Sequence, residues 1–445
     1  MEQHPESRYL PEQYVEISLP EWAKNATIYE LNIRQFSEEG SFKAVEKQLG
    51  RLKKMGIDII WLMPVHPIGE LHRKGSLGSY YSVKDYLAVN PEFGTEEDFR
   101  HLVKAIHNEG MYVILDWVAN HTSWDNPLVS EHPEWYRKSR KDTFQSTRWR
   151  DYDDIIELDY QYPELRKYMT EALKFWIREY DIDGYRCDIA SFIPIDFWEN
   201  AREELDALKP VLMLAEAEDR ELHRRAFDIT YNWTLWNILH QIALNERSVK
   251  TLTEAYIAEH VSIFPKAGIR LNFIDNHDKN SWEGNQYSNF GEALAAATVF
   301  TVIMDGMPLV YSGQEAGLDR SLEFFEKDPI EWKSHENEEL YTVLFKLKHQ
   351  NKALWNGNYG GEMVRIINDR MDQVISFVRE KEGDKVLAFM NLSDDPALVQ
   401  LDTSFDTGMY TNLFTGKQQQ VPETMILNMN PWEYLILHRE ERSPI

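Results

Sequence analysis

Cysteine is nearly absent from this chain: Cys187 is the only one in 445 residues, so no internal disulfide can form. That usage suits a reducing compartment and is equally compatible with a secreted protein that needs no disulfide. The first residues, MEQHPESRYLPEQYVEISLPEW, also lack the basic stretch and apolar run of a signal peptide. We therefore predict a cytoplasmic protein, with a secreted or periplasmic location only if a signal has been removed.

Positive charge is also scarce. The 48 Lys and Arg residues stand against 74 Asp and Glu, and the formal net charge of −26 repels polyanions. No apolar run approaches the roughly 18 residues that suggest a membrane-spanning helix. Nucleic acids and membranes are therefore not expected as partners. Aromatic residues are plentiful by contrast, and the 14 Trp, 22 Tyr and 20 Phe offer flat surfaces that stack on an uncharged ligand.

The chain from about residue 26 to residue 350 alternates short β-branched or aromatic segments with longer amphipathic ones, which predicts parallel strands joined by helices. Thr95 with Asp98 predicts the beginning of one helix, and Pro163 predicts the beginning of another. Eight such units over this length are typical of a (β/α)8 TIM barrel. The candidate strands are ATIYELNIRQF, IDIIWLMPV, MYVILDWVA, DGYRCDIA, VLMLAEAE, AFDITYNW, IRLNFIDN and MPLVYSG.

Two regions break this alternation. Residues 119–162 are too long and polar for an ordinary strand-to-helix connection. We predict a short insertion there, after strand 3, which walls the end of the barrel where the active sites of TIM barrels lie. Short alternating segments from residue 357 to residue 445 predict a C-terminal antiparallel β-sandwich; they are MVRIIN, QVISFVR, KVLAFMN, GMYTNLF and EYLILHR. The catalytic barrel then consists of residues 1–118 and 163–356.

Charged and polar residues follow four of the candidate strands, in the segments DWVANH, YRCD, LAEAED and FIDNHD. Core packing does not explain polar residues at the carboxyl ends of barrel strands. Along YRCD, the period of two places Arg186 and Asp188 on one face and turns Cys187 toward the helices. Cys187 is then a small buried residue, while Arg186 favours the ionised form of neighbouring carboxylates. Asp188 is therefore suited to attack as an anion.

Glu216 follows the apolar segment VLMLA on a different strand, and desolvation there would raise its pKa. An ionised carboxylate about 5 Å from a protonated one is the arrangement of retaining glycoside hydrolases. A metal site is the competing interpretation, because Asp, Glu, His and Asn are all metal ligands. However, the chain has no HxH or HExxH spacing, and it has no GxxxxGK loop for phosphate chemistry.

The four polar segments, in this order and at these strand ends, resemble the signature regions of the alpha-amylase family, glycoside hydrolase family 13. GSYYSVKDYLAVNPEFGT after strand 2 and GMPLVYSGQEAG at strand 8 extend the resemblance over nearly the whole chain. The resemblance implies Asp188 as nucleophile and Glu216 as general acid/base. It adds Asp278 as a third carboxylate that grips sugar hydroxyls and helps to distort the sugar ring. Glu218 is a rival for Glu216, but it lies two residues beyond the motif position.

The resemblance also implies a set of substrate-binding residues: Tyr81, Asp116, His121, Arg186 and His277. Tyr81 corresponds to the tyrosine that stacks under the sugar at the cleavage point, and the two histidines correspond to hydroxyl-binding ones. No cofactor is implied for the chemistry. Asn120 matches the family's calcium-ligand asparagine and allows one structural calcium. The segment DIASF, however, lacks the Lys-His pair that follows the nucleophile in many amylases.

The substrate class follows from the same resemblance. The LDY segment after the insertion is similar to the amylase-like form of the family, which favours hydrolysis of α-1,4-glucosidic bonds in starch, glycogen or maltooligosaccharides. An exo-acting alpha-glucosidase or cyclomaltodextrinase, or a glucanotransferase, is the alternative. An inactive carbohydrate-binding or transporter-associated relative is a further class, but such proteins usually lose a carboxylate, and this chain keeps all three. The oligomeric state is left open.

Overall fold

The computed structural model describes residues 14–146 and 152–440. Eight parallel strands close into a barrel, in the order β1-β10-β9-β8-β7-β6-β3-β2. Each lies inside one of the eight segments predicted from the sequence. The first ten strands are β1 (Ile28–Leu31), β2 (Ile59–Leu62), β3 (Tyr112–Trp117), β4 (His121–Ser123), β5 (Ile155–Glu157), β6 (Gly184–Cys187), β7 (Leu212–Ala215), β8 (Ile229–Tyr231), β9 (Ile269–Asn272) and β10 (Met307–Tyr311).

Helices surround the barrel, so nearly every strand position is buried and the strands read as apolar runs. Thr95 and Asp98 form the predicted capping box at the beginning of α4, and Pro163 is the first residue of α6. The helices are α1 (Ile33–Phe36), α2 (Phe42–Glu46), α3 (Leu49–Met55), α4 (Glu96–Asn108), α5 (Leu128–Glu131), α6 (Pro163–Tyr180), α7 (Ile195–Asp206), α8 (Trp233–Ala243), α9 (Ala258–Ile263), α10 (His277–Trp282), α11 (Gln286–Phe290), α12 (Leu294–Ile303) and α13 (Glu336–Gln350), and a π-helical segment Thr251–Ile257 precedes α9.

The insertion after β3 contains the antiparallel pair β4 and β5 and the short helix α5. Tyr152, Asp154 and Ile155 from this insertion line the cavity at the carboxyl end of the barrel, as expected of a wall. Residues 147–151 of the predicted insertion lie outside the described residues. The limits assigned to the insertion and to the other domains stay predictions.

The C-terminal region folds into two antiparallel sheets that share a hydrophobic core. Three of its strands, β14, β16 and β17, were not predicted. β14 and β17 carry exposed Leu398 and Ile426, so apolar residues lie on both faces and the period-two signal is weakened. The strands are β11 (Val364–Arg365), β12 (Val374–Lys381), β13 (Asp384–Asn391), β14 (Ala397–Asp402), β15 (Gly408–Asn412), β16 (Gln418–Val421), β17 (Thr424–Met429) and β18 (Tyr434–Arg439).

Arg379 of β12 joins the C-terminal sheets to the barrel. Its buried guanidinium donates hydrogen bonds of 3.1 and 2.8 Å to the carbonyl oxygens of Ile303 and Met304, where α12 ends. A cation is favourable at the carboxyl end of a helix because the helix dipole is negative there.

In the part of the chain that the structure describes, no helix is both long enough and apolar enough to cross a membrane.

Candidate active site

The polar strand ends converge around a cavity of about 440 Å³ at the carboxyl end of the barrel. Parallel strands of a closed barrel all end at the same face, which brings together residues that are far apart in the sequence. Of the predicted site residues, six line the cavity directly: Tyr81, His121, Asp188, Glu216, His277 and Asp278. Asp116 and Arg186 are fully buried and bind these side chains through ion pairs and hydrogen bonds.

Arg186 connects three of the carboxylates. Its Nη1 donates to Asp116 Oδ1 at 2.9 Å and to Asp188 Oδ1 at 3.0 Å. Its Nη2 forms an ion-pair contact of 3.0 Å with Glu216 Oε2. Asp188 directly follows β6 and Glu216 directly follows β7, and these strands are neighbours. One guanidinium therefore holds the predicted nucleophile and the predicted acid/base side by side.

The backbone after Asp188 also contacts Glu216. Ile189 donates its N–H to Glu216 Oε2 at 2.8 Å. Ile189 has a φ of 36°, a left-handed conformation that is unusual and unfavourable for a β-branched residue. The strained residue lies where the chain turns away from Asp188. This turn directs the Ile189 N–H to the Glu216 carboxylate.

The pKa values of the two carboxyls are set mainly by burial. Burial raises the pKa of Asp188 well above its usual range; the charge of Glu216 raises it further, and Arg186 opposes this. Burial likewise raises the pKa of Glu216, and again Arg186 acts in the opposite direction. The sequence prediction of an ionised Asp188 rests on Arg186 alone, whereas in the structure burial has the larger effect on this pKa. Two buried carboxyls this close do not both ionise easily, so the pair holds one proton over a range of pH and presents one anion and one acid.

Tyr81, Asp116 and His277 form a second network beside the pair. The Tyr81 hydroxyl lies 2.9 Å from Asp116 Oδ2 and 2.8 Å from His277 Nε2. The Trp61 indole N–H donates to the same Asp116 oxygen at 3.1 Å. Asp278 reaches the cavity with a side chain that is 37% exposed, and its Oδ1 lies 3.6 Å from His277 Nε2.

His121 lies on the insertion side of the cavity, where its Nε2 is 3.1 Å from the Tyr81 carbonyl oxygen. Burial lowers the pKa of His121 to about 4, so the ring is neutral at ordinary pH. Asn120 does not line the cavity, and its Nδ2 lies 3.3 Å from His121 Nδ1. The described residues contain no group of three His, Cys, Asp or Glu side chains placed to hold a metal ion. The Asn120 side chain contacts a histidine and not a carboxylate in this arrangement. The calcium site therefore stays a prediction.

Cys187 and Glu218 lie away from the chemistry. Cys187 is fully buried, and this burial raises the pKa of its thiol, which makes it an unreactive core residue. Glu218 accepts hydrogen bonds from the Thr234 N–H at the beginning of α8 and pairs with Arg270 at 2.5 Å. Of the two glutamates after β7, only Glu216 lines the cavity.

Sequence reasoning missed two contributions to the site. Glu30 of β1 is fully buried and its Oε1 forms a short hydrogen bond with His277 Nδ1. The available signal was a charged residue within the otherwise apolar strand IYEL. The second contribution is an aromatic wall made by Trp282, Phe324 and Phe325, whose rings contact one another along the cavity.

The chain is similar to known proteins over nearly its whole length. The chain matches the family model of the alpha amylase catalytic domain over residues 24–355 and that of the maltogenic amylase C-terminal domain over residues 364–436. A solved noncanonic maltogenic alpha-amylase from Thermotoga neapolitana is 31% identical with a TM-score of 0.85, covering 94% of this chain and 99% of its own. An alpha-amylase structure from Lactobacillus plantarum is 28% identical with a TM-score of 0.84, covering 94% of this chain and 100% of its own. Alpha-amylase 2 of Dictyoglomus thermophilum, a curated relative, is 26% identical over 91% of this chain and 75% of its own length.

A TIM barrel with this carboxylate pair and these matches defines a glycoside hydrolase. The chain belongs to the alpha-amylase family, glycoside hydrolase family 13.

Proposed function

We propose that this protein is a retaining hydrolase of α-1,4-glucosidic bonds, acting on starch, glycogen or maltooligosaccharides. The observation that carries the proposal is the placement of Asp188 and Glu216 on the two terminal nitrogens of one buried guanidinium, in a cavity lined by aromatic rings. Aromatic rings stack on the apolar faces of sugars, and the chain's net charge of −26 suits a neutral substrate.

The proposed reaction requires the proton shared by the pair to lie on Glu216, and the hydrogen bond from Arg186 Nη1 to Asp188 Oδ1 favours the anion at Asp188. Asp188, as the anion, attacks the anomeric carbon while protonated Glu216 donates its proton to the leaving glycosidic oxygen. A covalent bond from Asp188 Oδ to the sugar forms as the glycosidic bond breaks. Glu216, now ionised, then takes a proton from water, whose oxygen attacks the same carbon and releases Asp188. Two displacements return the anomeric configuration of the substrate.

The remaining residues bind and orient the sugar in this proposal. Asp278 and the two histidines, His121 and His277, contact hydroxyl groups, and Tyr81 stacks beneath the ring that is cleaved. Hydrogen bonds to sugar hydroxyls that strengthen as the ring flattens stabilise the oxocarbenium-like transition state. The buried Asp116 orients Arg186 and Tyr81 through the contacts described above.

Maltose-releasing action is a second candidate within the same chemistry. It is supported by the likeness to a protein named maltogenic alpha-amylase and by the match to the maltogenic amylase C-terminal model. The aromatic wall of Trp282, Phe324 and Phe325 lines the cavity and offers rings on which the end of a glucan chain can stack. A glucanotransferase would use the same intermediate with a sugar hydroxyl in place of water.

The site assignment is tested with Asp188→Asn and Glu216→Gln, assayed for reducing ends released from soluble starch. Each substitution should lower kcat by at least about 1,000-fold, because it removes the nucleophile or the acid. The matched control is Glu218→Gln, which changes a carboxylate two residues from Glu216 and outside the cavity. Turnover within tenfold of the parent protein in either site variant, with the fold intact by circular dichroism, would contradict the assignment.

The substrate class is tested by the products formed from maltoheptaose over time. A mixture of short maltooligosaccharides at early times indicates an internal cleavage mode, whereas maltose alone indicates maltogenic action. Glucose alone from the outset indicates an exo-acting glucosidase. Products longer than the substrate indicate transfer to sugar in place of hydrolysis.

A further inference from the structure

Glu30 is a buried carboxylate that the reaction described above does not use. It lies on β1, is fully buried, and its Oε1 is hydrogen-bonded to His277 Nδ1. Its other oxygen, Oε2, has no hydrogen-bond partner among the described residues. A carboxylate in such a position is costly unless a cation lies against it.

The hydrogen bonds around His277 determine where its protons are. Burial raises the pKa of Glu30, and the charge and hydrogen bond of His277 oppose this. An ionised Glu30 offers only acceptor oxygens to Nδ1, so Nδ1 then carries a proton. On the other side, the Tyr81 hydroxyl has a single proton, and Asp116 Oδ2 at 2.9 Å is an acceptor for it. The Tyr81 oxygen is therefore left to accept from His277 Nε2 at 2.8 Å, and Nε2 also carries a proton. A ring that donates from both nitrogens is an imidazolium.

The charges around the ring agree with this assignment. Burial of the ring disfavours the cation, and Arg186 on β6 acts in the same direction. Asp278 beside the ring and Glu30 on β1 favour the cation, and Glu216 after β7 also faces it. The balance raises the pKa of His277 to about 9. His121 provides a comparison within the same cavity: it is equally buried, faces a backbone carbonyl in place of a carboxylate, and has a pKa lowered to about 4.

We propose that Glu30 is a positioning residue that holds His277 as an imidazolium, so that its Nε2–H donates toward Tyr81 and the bound sugar. The proposal rests on the hydrolysis proposed above for its effect on rate. Its effect on the protonation of His277 is independent of that reaction. Deprotonation would remove one N–H donor, free the Tyr81 hydroxyl to reorient, and weaken binding in the transition state.

The test is Glu30→Gln, a substitution of the same shape that still accepts the Nδ1–H bond and lacks the charge. His277 should then lose its proton at lower pH, because one of the two anions that favour the cation is gone. The alkaline limb of kcat/KM on soluble starch reflects loss of the Glu216 proton and then loss of the His277 proton. We expect its second, steeper part to begin about one pH unit or more lower in Glu30→Gln, with the acidic limb unchanged. Glu30→Asp keeps the negative charge, so its alkaline limb of kcat/KM should lie closer to that of the parent protein than the limb of Glu30→Gln does.

The matched control is Glu315→Gln. Glu315 is another fully buried glutamate, four residues after the end of β10, and it accepts a hydrogen bond from the Tyr29 hydroxyl at 2.7 Å and pairs with Arg51 at 3.0 Å. Its loss should lower stability without moving the alkaline limb. An equal shift of the limb in Glu315→Gln and Glu30→Gln would overturn the proposal, because general destabilisation would then account for both.

A second measurement needs no substrate. The pKa of His277 is followed by NMR of ring-labelled histidine, with its signal identified by its absence from His277→Gln. We expect a pKa of His277 above about 8 in the parent protein and a lower value in Glu30→Gln. A parent value near 6.5 or below refutes the proposal, even if Glu30→Gln does not fold. If the pKa shift occurs and the parent protein does not hydrolyse α-glucans, the proposed function fails and the role of Glu30 toward His277 stands.

Discussion

Arg186→Gln is the substitution that tests most directly how this site is held together. Arg186 is fully buried and is the cation shared by Asp116, Asp188 and Glu216. Asp188 and Glu216 hold one proton between them, so together they carry about one negative charge. With Asp116, about two negative charges therefore lose their cation when Arg186 is replaced. Removing one partner of a buried ion pair typically costs about 3–5 kcal/mol. We expect a loss of unfolding free energy of about that size at pH 7.5.

The pH dependence of that loss follows from the carboxyl pKa values. Without the guanidinium, which lowers them, the pKa values of Asp188 and Glu216 in the folded state rise further above their unfolded values. A raised carboxyl pKa means that the folded state binds the proton more tightly, so falling pH favours folding. The loss should therefore be smaller at pH 5.5 than at pH 7.5.

The assay is urea unfolding followed by tryptophan fluorescence at both pH values. Arg379→Gln is the control, because Arg379 is equally buried and donates mainly to backbone carbonyls, which do not titrate in this range. Its loss should cost a similar order of free energy at both pH values. A loss below about 1 kcal/mol for Arg186→Gln, or one that is equal at the two pH values, would refute the electrostatic reasoning.

Two further predictions concern the strand that carries the nucleophile. Gly184→Ala should prevent accumulation of folded protein, since its Cβ would lie 1.9 Å from the Leu212 carbonyl oxygen and its φ is +153°; soluble expression with a parental melting temperature would contradict this. Cys187→Ala should keep the parental kcat on soluble starch and lose about 1 kcal/mol of stability, because the thiol is buried core without a catalytic contact. A loss of kcat above tenfold in a folded Cys187→Ala protein would show that the residue does more than pack.

Local sequence patterns were sufficient to predict strands and their faces where a single physical rule, such as burial on both sides, determines the pattern. The apolar runs bounded by turn residues located all eight barrel strands, since parallel strands are buried on both faces. The period of two along YRCD separated Arg186 and Asp188 from Cys187, and the structure places the first two at the site and the third in the core. In the C-terminal region the same rule was weakened by exposed apolar residues on β14 and β17, and those strands were missed.

Only some of the residues of the candidate active site could be predicted from the sequence. Clusters of carboxylates at strand ends pointed to Asp188, Glu216 and Asp278, because polar residues at those positions have no packing role. Glu30 was missed since it stands alone in an apolar strand, and its partner His277 is 247 residues away. The strained Ile189 was equally invisible, because nothing in its local sequence requires a left-handed conformation.

The sequence by itself therefore determined the barrel, the family, and which strand ends carry charge, because hydrophobic periodicity and motif spacing are properties of neighbouring residues. The tertiary structure alone decided that one guanidinium joins Asp188 to Glu216, and that burial outweighs that guanidinium in raising both carboxyl pKa values. It also decided that His277 is enclosed by Glu30 and Tyr81. Desolvation and charge pairing depend on distances across the barrel, and closure of the barrel sets those distances.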